Sequence, residues 1–356
     1  MNPTPAFRRL SAILPGLALV LSLAVSIYDP QGTGTFLQNQ VFDLYQRLLP
    51  RMAGPQGSHA VYIDIDAETA KRYGAWPWPR KTLNALVAHV RDAGASAIVI
   101  DMALPDPDPT EAGQLLRLWS PLPAEEEFPG LGKSLARLPN HERDLVGLLT
   151  STRSVVSFVP GKIAYDGPRA PAKRSVIAPV GGDPRHFMVN YDNWRASLAL
   201  FETAANGNGA ALPEESPGAT VRGLPMLVEL NGTLYPSNVL EALRVAHGGT
   251  GYRAVVTAPD NGFSLEIEPG IERVEIEGTD LLARTLKDGS LRLYFGDTDT
   301  RPRLSAGAVL SGSADTGMLA GRIAIIGVSA NGSQRLHETP VGIPMAAGAL
   351  AANATN

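Results

Sequence analysis

The sequence predicts an α/β fold: a mainly parallel central sheet with flanking helices and a large mixed, partly antiparallel insertion, preceded by one transmembrane helix. Three observations predict it. One long uncharged apolar run lies near the N-terminus. Short runs that are apolar throughout, typical of buried parallel strands, alternate with amphipathic helices and return near the C-terminus. Between them, residues 161–299 carry shorter strands separated by Gly, Asp and Pro, typical of antiparallel pairing.

The N-terminal run, from Leu10 to Tyr28, is uncharged and close to the roughly twenty residues that cross a bilayer core. Arg8 and Arg9 precede it, which predicts a cytoplasmic N-terminus over residues 1–9 and a transmembrane helix over 10–28. The alternative is a cleaved signal peptide with a small-residue site at 24–26. The run exceeds a usual signal core, which favours the transmembrane helix. Both interpretations place the rest of the chain outside the cytoplasm.

Residues 29–58 should link the membrane to the domain, and they contain a juxtamembrane amphipathic helix. Its apolar residues recur at i, i+4, i+7, i+8 and i+11, the spacing of one helix face. This helix either transmits a signal as a stalk or packs on the sheet, and packing is the simpler account. The apolar face consists of Leu37, Val41, Leu44, Tyr45 and Leu48.

The extracytoplasmic domain is expected over residues 59–345 and begins with a β-α-β unit. Residues 60–66 form a short apolar strand that ends in carboxylates, and residues 97–101 form a second. Between them lies a helix that Gly94 closes, since glycine readily adopts the left-handed conformation at helix C-termini. The apolar stripe of this helix consists of Leu83, Leu86, Val87 and Val90.

Later elements extend this core and then interrupt it. A helix over 141–149 leads into a third buried strand over 154–158. Within the insertion, the Asn-Gly pair at 231–232 is a strong hairpin signal. A strand of the buried type returns at 322–327, so we expect a core that a late strand closes. Residues 346–356 are expected to be a tail that leads to further membrane helices.

Composition and charge narrow the classes of function. The chain has 356 residues, of which 44% are apolar and 19% charged, as in a packed globular protein. Its net charge of −4 predicts no nucleic-acid partner. The absence of cysteine excludes disulfides, thiolate zinc sites and thiol catalysis. Asn331 also stands where the GxSxG motif of serine hydrolases needs glycine. Because no catalytic motif is complete, we expect no catalytic residues in this chain, and we expect no metal or cofactor.

Three carboxylates are candidate ligand-binding residues. Asp64 and Asp66 lie two apart at the end of the first strand, and Asp101 ends the neighbouring strand. Ligands of open parallel sheets bind beyond the carboxyl ends of the strands, so these acids are placed to hold a divalent cation in a phosphoester hydrolase. The spacing is similar to that of the haloacid dehalogenase phosphatases, but Glu68 replaces the Thr or Val of their motif. The simpler alternative is that the carboxylates cap loops and the following helix.

The string Trp76-Pro77-Trp78-Pro79-Arg80 is the most distinctive in the chain. Its prolines fix an extended backbone, so both indoles are presented beside a guanidinium with little conformational freedom to lose. Trp76, Trp78 and Arg80 are therefore candidates for contact with a ligand, or with an envelope protein or glycan. The alternative is that the tryptophans cover the sheet and Pro79 leads into the next helix.

Taken in order, these features resemble the second type of the CHASE sensory domains, which lie outside the cytoplasm on bacterial cyclases and histidine kinases. The resemblance covers nearly the whole chain. Its more specific parts are the WPWPR string and the final strand and turn. It rests on the N-terminal span and on residues 42–47, 61–66, 74–80, 94–101, 235–237, 304–306, 321–330 and 339–340.

The resemblance implies a periplasmic or extracellular signal-input domain held in the inner membrane. It also implies that further membrane helices and a cytoplasmic effector follow, either a nucleotide or diguanylate cyclase or a kinase. Because the sequence stops where those helices should begin, it is either a truncated receptor or a stand-alone relative. The expected partners are the membrane, through residues 10–28, and an extracytoplasmic ligand or envelope protein, and a homodimer is left open.

The chain departs from the family pattern near its end. It has Ala346-Ala347-Gly348 and Ala352 where family members tend to show a Pro-Gly pair and a His-Ala pair. Any role that the family gives to that histidine is therefore absent here.

Overall fold

The computed structural model describes most of the region that the sequence assigns to the domain. The predicted transmembrane segment, residues 10–28, lies outside the described residues. No helix within the described part of the chain is long and apolar enough to cross a membrane. The described residues are 33–49, 58–111, 114, 130–135, 137–161, 169–213, 220–257, 269–295, 302–330 and 336–355.

Helices and strands alternate in the first part of the domain, and strands dominate the middle. The helices are α1 (Thr33–Leu48), α2 (Ala67–Tyr73), α3 (Arg80–Asp92), α4 (Leu131–Leu135), α5 (His141–Ser151), α6 (Ala199–Ala204), α7 (Asn238–His247), α8 (Ala306–Ser311) and α9 (Ala347–Ala354). The strands are β1 (Ala60–Ile65), β2 (Ala97–Ile100), β3 (Ser154–Gly161), β4 (Ile177–Val180), β5 (Asn190–Tyr191), β6 (Asn193–Arg195), β7 (Gly207–Ala210), β8 (Gly223–Pro225), β9 (Leu227–Leu230), β10 (Thr233–Pro236), β11 (Gly251–Thr257), β12 (Gly270–Glu277), β13 (Leu282–Arg284), β14 (Ser290–Arg292), β15 (Arg303–Ser305) and β16 (Ile323–Val328).

The central sheet is mainly parallel, which confirms the predicted α/β class. Its strand order is β15-β1-β16-β2-β3-β6, and β7 also pairs with β3. Only β6 runs antiparallel to its neighbour among the described strands of this sheet. The late strand β16 lies between β1 and β2 and pairs with both in parallel. The core is therefore closed by a strand from near the end of the sequence, as predicted.

Both faces of the sheet are covered, so β1, β2 and β16 are buried along their whole length. Along β1, Val61, Ile63 and Ile65 face one apolar cluster, while Ala60 and Tyr62 face another. This is the two-residue alternation of a strand. The first cluster includes side chains of α3, α5, α6 and α8, and the second includes side chains of α7, α9 and the insertion.

The insertion contributes its own small sheets. One has the order β13-β12-β11-β4, with antiparallel pairing of β11 with β12 and parallel pairing of β11 with β4. The predicted hairpin is confirmed as β9 and β10, which are joined by Asn231 at φ 46° and Gly232 at φ 78°. Two consecutive positive φ angles are what the common two-residue hairpin turn requires, and an Asn-Gly pair adopts them most easily.

Candidate functional site

A buried polar network lies at the carboxyl ends of the central strands and begins with Asp64. This residue lies in β1, and its side chain has no solvent exposure. Its carboxylate accepts hydrogen bonds from the Ser329 hydroxyl at 2.6 Å and the Tyr62 hydroxyl at 3.1 Å. It also forms an ion pair with Arg303. Because Ser329 follows β16 and Arg303 begins β15, Asp64 links three adjacent strands.

Asp101, at the end of β2, is the second carboxylate of the network. The amide nitrogen of Asn238, the first residue of α7, donates to it at 2.5 Å and also approaches the Ser157 hydroxyl of β3 at 3.2 Å. Burial raises the pKa of Asp101 to about 7, although the hydrogen bond from Asn238 acts in the opposite direction. Near neutral pH this buried carboxyl group therefore exists in both protonation states.

Tyr62 lies between the two carboxylates. Burial raises its pKa well above 10.0, and the charges of Asp64 and Asp101 add to that effect. The helix α9 covers this side of the network through Gly348. A Cβ atom at Gly348 would come within 2.5 Å of the Tyr62 ring and 3.0 Å of a carboxylate oxygen of Asp101. Only glycine allows α9 to lie this close to the sheet.

The third predicted carboxylate, Asp66, belongs to a different local structure. Its side chain accepts hydrogen bonds from the backbone nitrogen of Thr69 at 2.8 Å and from the Thr69 hydroxyl at 2.7 Å. Asp66 therefore caps the N-terminus of α2. Burial acts to raise its pKa, but the hydrogen bonds from Thr69 and Ser305 outweigh burial and lower it.

The three-carboxylate metal site is not supported by this geometry. Within the described ranges, no group of three or more histidine, aspartate or glutamate side chains is arranged to hold a metal ion. Asp64 is instead occupied by Arg303, Ser329 and Tyr62. Asp66 lies in the cap of α2, apart from the other two carboxylates.

The tryptophan string packs against the sheet rather than presenting a flat aromatic surface. Trp78 is 2% exposed, and its indole nitrogen donates to the Gly74 carbonyl at 2.8 Å. Trp76 is half-buried, with its ring centre 6.1 Å from that of Trp78. Of the two indoles, only Trp76 retains a surface that another molecule can touch.

Arg80 is also buried, and it organises the loop after β2. Its backbone nitrogen donates to the Asp108 carboxylate at 2.5 Å, and its guanidinium donates to the Asp106 carbonyl at 2.7 Å. The guanidinium also lies 5.5 Å from the ring centre of Phe201. Burial lowers the pKa of Arg80, against the opposing charge of Asp108. This side chain holds a loop and is not presented to solvent.

Sequence reasoning found Asp64 and Asp101 but missed five members of the network, one of which is Ser157 of β3. A signal existed for Tyr62, which lies two residues before Asp64 and so faces the same side of β1. Ser329 had a signal too, because it follows a buried parallel strand. No sequence pattern indicated Asn238 or Arg303, because their positions depend on how α7 and β15 pack in three dimensions.

A second notable feature is the way α1 docks on the domain, through its polar side. Asp43 forms an ion pair with Arg222 at 2.8 Å. The Gln46 side-chain oxygen accepts from the backbone nitrogen of Phe295 at 2.7 Å. Arg47 donates to the Pro340 carbonyl at 2.8 Å. The structure thus supports packing of this helix, but through the face opposite to the predicted apolar one.

The helices α1 and α9 meet at residues 292–295, which we call the terminal junction. The ring of Phe42 in α1 packs edge-on against Tyr294 with 5.3 Å between ring centres, and Arg292 lies 4.4 Å from the same Phe42 ring. From α9, the Asn353 side chain donates to the Tyr294 carbonyl at 3.0 Å. The first and last described helices therefore contact the same short segment.

Comparison with known proteins identifies the family of this chain. Searches of curated proteins and of solved structures gave no match to the chain. A family model described as the CHASE2 domain matches residues 17–356. Domains of this family are extracytoplasmic and sensory rather than catalytic. The chain belongs to the CHASE2 domain family.

Proposed function

We propose that this protein is the membrane-anchored signal-input domain of a bacterial transmembrane receptor. Its N-terminus is cytoplasmic, its domain faces the periplasm or the exterior, and it regulates a cytoplasmic effector such as a nucleotide cyclase or a kinase. Membership of a sensory family supports the input role. The uncharged run over residues 10–28, with its preceding arginines, supports the membrane anchor.

The terminal junction is the observation that carries this proposal. The helix α1 follows the expected transmembrane segment, and α9 lies in the tail that the family resemblance connects to further membrane helices. Both contact residues 292–295. A ligand that binds one arrangement of the domain more tightly than another shifts the population toward it. Movement at the junction would then reach both connections to the membrane at once.

The buried polar network supplies a route from the sheet to this junction. Gly348 of α9 lies against Tyr62 and Asp101, so any shift of the strand ends displaces α9. Among the candidate ligand residues, Trp76 is the one proposed for direct contact, because its indole is half-buried. Asp64 and Asp101 would act indirectly by setting the position of α9.

A chimeric receptor tests the proposal. Residues 1–356 are joined to three membrane helices and a cyclase, and cyclic nucleotide is measured in cells under varied envelope conditions. Deletion of residues 59–345 should abolish the response while leaving basal cyclase activity. Asp43→Ala, which removes the ion pair between α1 and Arg222, should weaken the response, whereas Gln40→Ala on the exposed side of α1 should not. An unchanged response after the deletion refutes the input role.

A further inference from the structure

The exposed face of α1 is unusually apolar for a surface helix. Within the described residues nothing covers this face, because the helix contacts the domain through its other side. A surface of this size normally marks an interaction site. The exposed fractions are 52% for Leu37, 67% for Val41, 55% for Leu44, 53% for Tyr45 and 69% for Leu48.

The spacing of these residues fits the seam of a two-stranded coiled coil. Leu37, Val41, Leu44 and Leu48 follow one another at intervals of four, three and four, which are successive d and a positions of a heptad. The side chains that contact the domain belong to the b, c and f positions, on the opposite face. They are Asn39, Phe42, Asp43 and Gln46.

The docking contacts prevent α1 from turning this seam inward. Rotation of the helix would break the ion pair between Asp43 and Arg222 and the hydrogen bond from the Phe295 nitrogen to Gln46. It would leave the nearly buried Asp43 carboxylate without its counter-ion, which is strongly unfavourable. The domain therefore holds the apolar seam toward the outside.

Charge distribution argues against a lipid surface as the occupant. Helices that lie on anionic membranes carry lysine and arginine beside their apolar face. The only charged residues of α1 are Asp43 and Arg47, and both are engaged with the domain. An uncharged a/d seam is instead suited to an identical seam.

We propose that a second copy of this chain covers this face, with α1 pairing in parallel with α1 of the partner across a two-fold axis. The parallel direction rests on the proposed membrane orientation, which both copies share. A stable dimer interface buries about 800 Å² from each partner, and the five large side chains of this face, each more than half exposed, would form its apolar centre. This inference adds an interaction surface to the proposed function.

Disulfide cross-linking of the full chain in membranes tests the pairing directly, because the protein contains no cysteine. Single substitutions Leu37→Cys, Val41→Cys, Leu44→Cys and Leu48→Cys are oxidised and analysed for covalent dimers. Leu282→Cys is the matched control, since Leu282 is 51% exposed but lies on β13. Dimers at the four seam positions well above the control support the proposal. Equal yields at all five positions overturn it.

Measurement of the association constant gives an independent result. By analytical ultracentrifugation of the full chain in detergent, Leu44→Ala should weaken dimerisation at least about tenfold, since each copy loses a buried leucine. Leu282→Ala should leave it unchanged. A monomeric wild-type chain, or seam cysteines that are shielded only when lipid vesicles are added, refutes the pairing. The chimeric-receptor deletion reports separately on the input role.

Discussion

Asp101 shows how a single buried group makes the stability of this domain depend on pH. Burial raises its pKa from 3.8 to about 7 in the folded state. The unfolded chain releases this proton near its ordinary pKa, so the folded state holds a proton that the unfolded state has lost between about pH 4 and pH 7. The stabilising effect of the protonated form is complete below pH 4 and is lost as the pH rises through 7.

We therefore predict that Asp101→Asn stabilises the protein at pH 8 relative to the wild type, because the amide resembles the protonated carboxyl group. The rise of the pKa from 3.8 to about 7 corresponds to a difference of at most roughly 4 kcal/mol in the free energy of unfolding. Urea unfolding at pH 5 and pH 8 measures it, and the advantage of the variant should shrink at pH 5. Asp92→Asn, at an exposed position, serves as the control. A variant less stable than the wild type at pH 8 contradicts the assignment.

Asp64 provides a prediction that separates a structural role from a metal-binding one. Asp64→Asn weakens the contacts with Arg303 and Ser329 and should lower stability by about 1–3 kcal/mol, since Arg303 is half exposed and partly solvated. The melting temperature should be the same in EDTA and in Mg²⁺ for both proteins. A rise with Mg²⁺ in the wild type that disappears in the variant would restore the metal site.

The placement of Asp64 and Asp101 at one edge of the sheet could be predicted from the sequence, because Asp64 lies near the carboxyl end of one buried parallel strand and Asp101 follows another. The prediction that these two strands are neighbours was wrong, since β16 lies between them. The capping role of Asp66 was also among the alternatives that the sequence allowed. The pairing of Asp64 with Arg303 could not be predicted. It depends on β15, a three-residue strand whose sequence has no apolar alternation to reveal it.

At the scale of elements, close approach of a helix to the sheet depends on Gly348. Gly348→Ala should destabilise the protein by about 1–3 kcal/mol, because the added methyl group meets Tyr62 and Asp101. Gly147→Ala, in α5, is the matched control, because a methyl group added there would have nothing within 4 Å. That control should raise stability by about 0.5–1 kcal/mol through helix propensity. Thermal unfolding compares the two, and equal effects would show that α9 is not held against the sheet.

The attachment of α1 leads to a local prediction rather than a global one. Asp43→Ala removes the ion pair with Arg222 and should increase amide exchange over residues 36–48 by about 10- to 100-fold. Exchange in β1, β2 and β16 should not change, since α1 lies outside the central sheet. Hydrogen–deuterium exchange with mass spectrometry measures both, and Gln40→Ala should leave α1 protected. Unaltered exchange in Asp43→Ala would mean that other contacts hold the helix.

Sequence patterns predicted most elements of the core but not every orientation. The helical period of α1 was clear, yet its apolar face does not contact the domain. Hydrophobic spacing shows which residues share an apolar face, but it does not show what that face contacts. The strand β7 was missed because Gly207 and Gly209 disfavour strands in general. The structure needs glycine there, since a Cβ atom at Gly209 would collide with the backbone of Asn238.

At the scale of the whole molecule, the central sheet depends on β16, a strand that lies far from β1 and β2 in sequence. The strand lies between β1 and β2, so these two strands of the first hundred residues do not pair with each other and are joined only through β16. Pairing of strands so distant in sequence has a large loop-closure cost, and such topologies fold slowly. The central sheet therefore cannot join β1 to β2 until β16 has been made.

Two truncations of the full chain test this dependence. A chain that ends at residue 321 lacks β16 and should show no cooperative urea transition, because β1 and β2 lose their shared neighbour. A chain that begins at residue 58 lacks α1 and should still unfold cooperatively at a lower urea concentration, because α1 contributes surface contacts such as Asp43 with Arg222. Circular dichroism during urea titration measures both. Cooperative unfolding of the first truncation would show that the stability of the domain does not depend on β16.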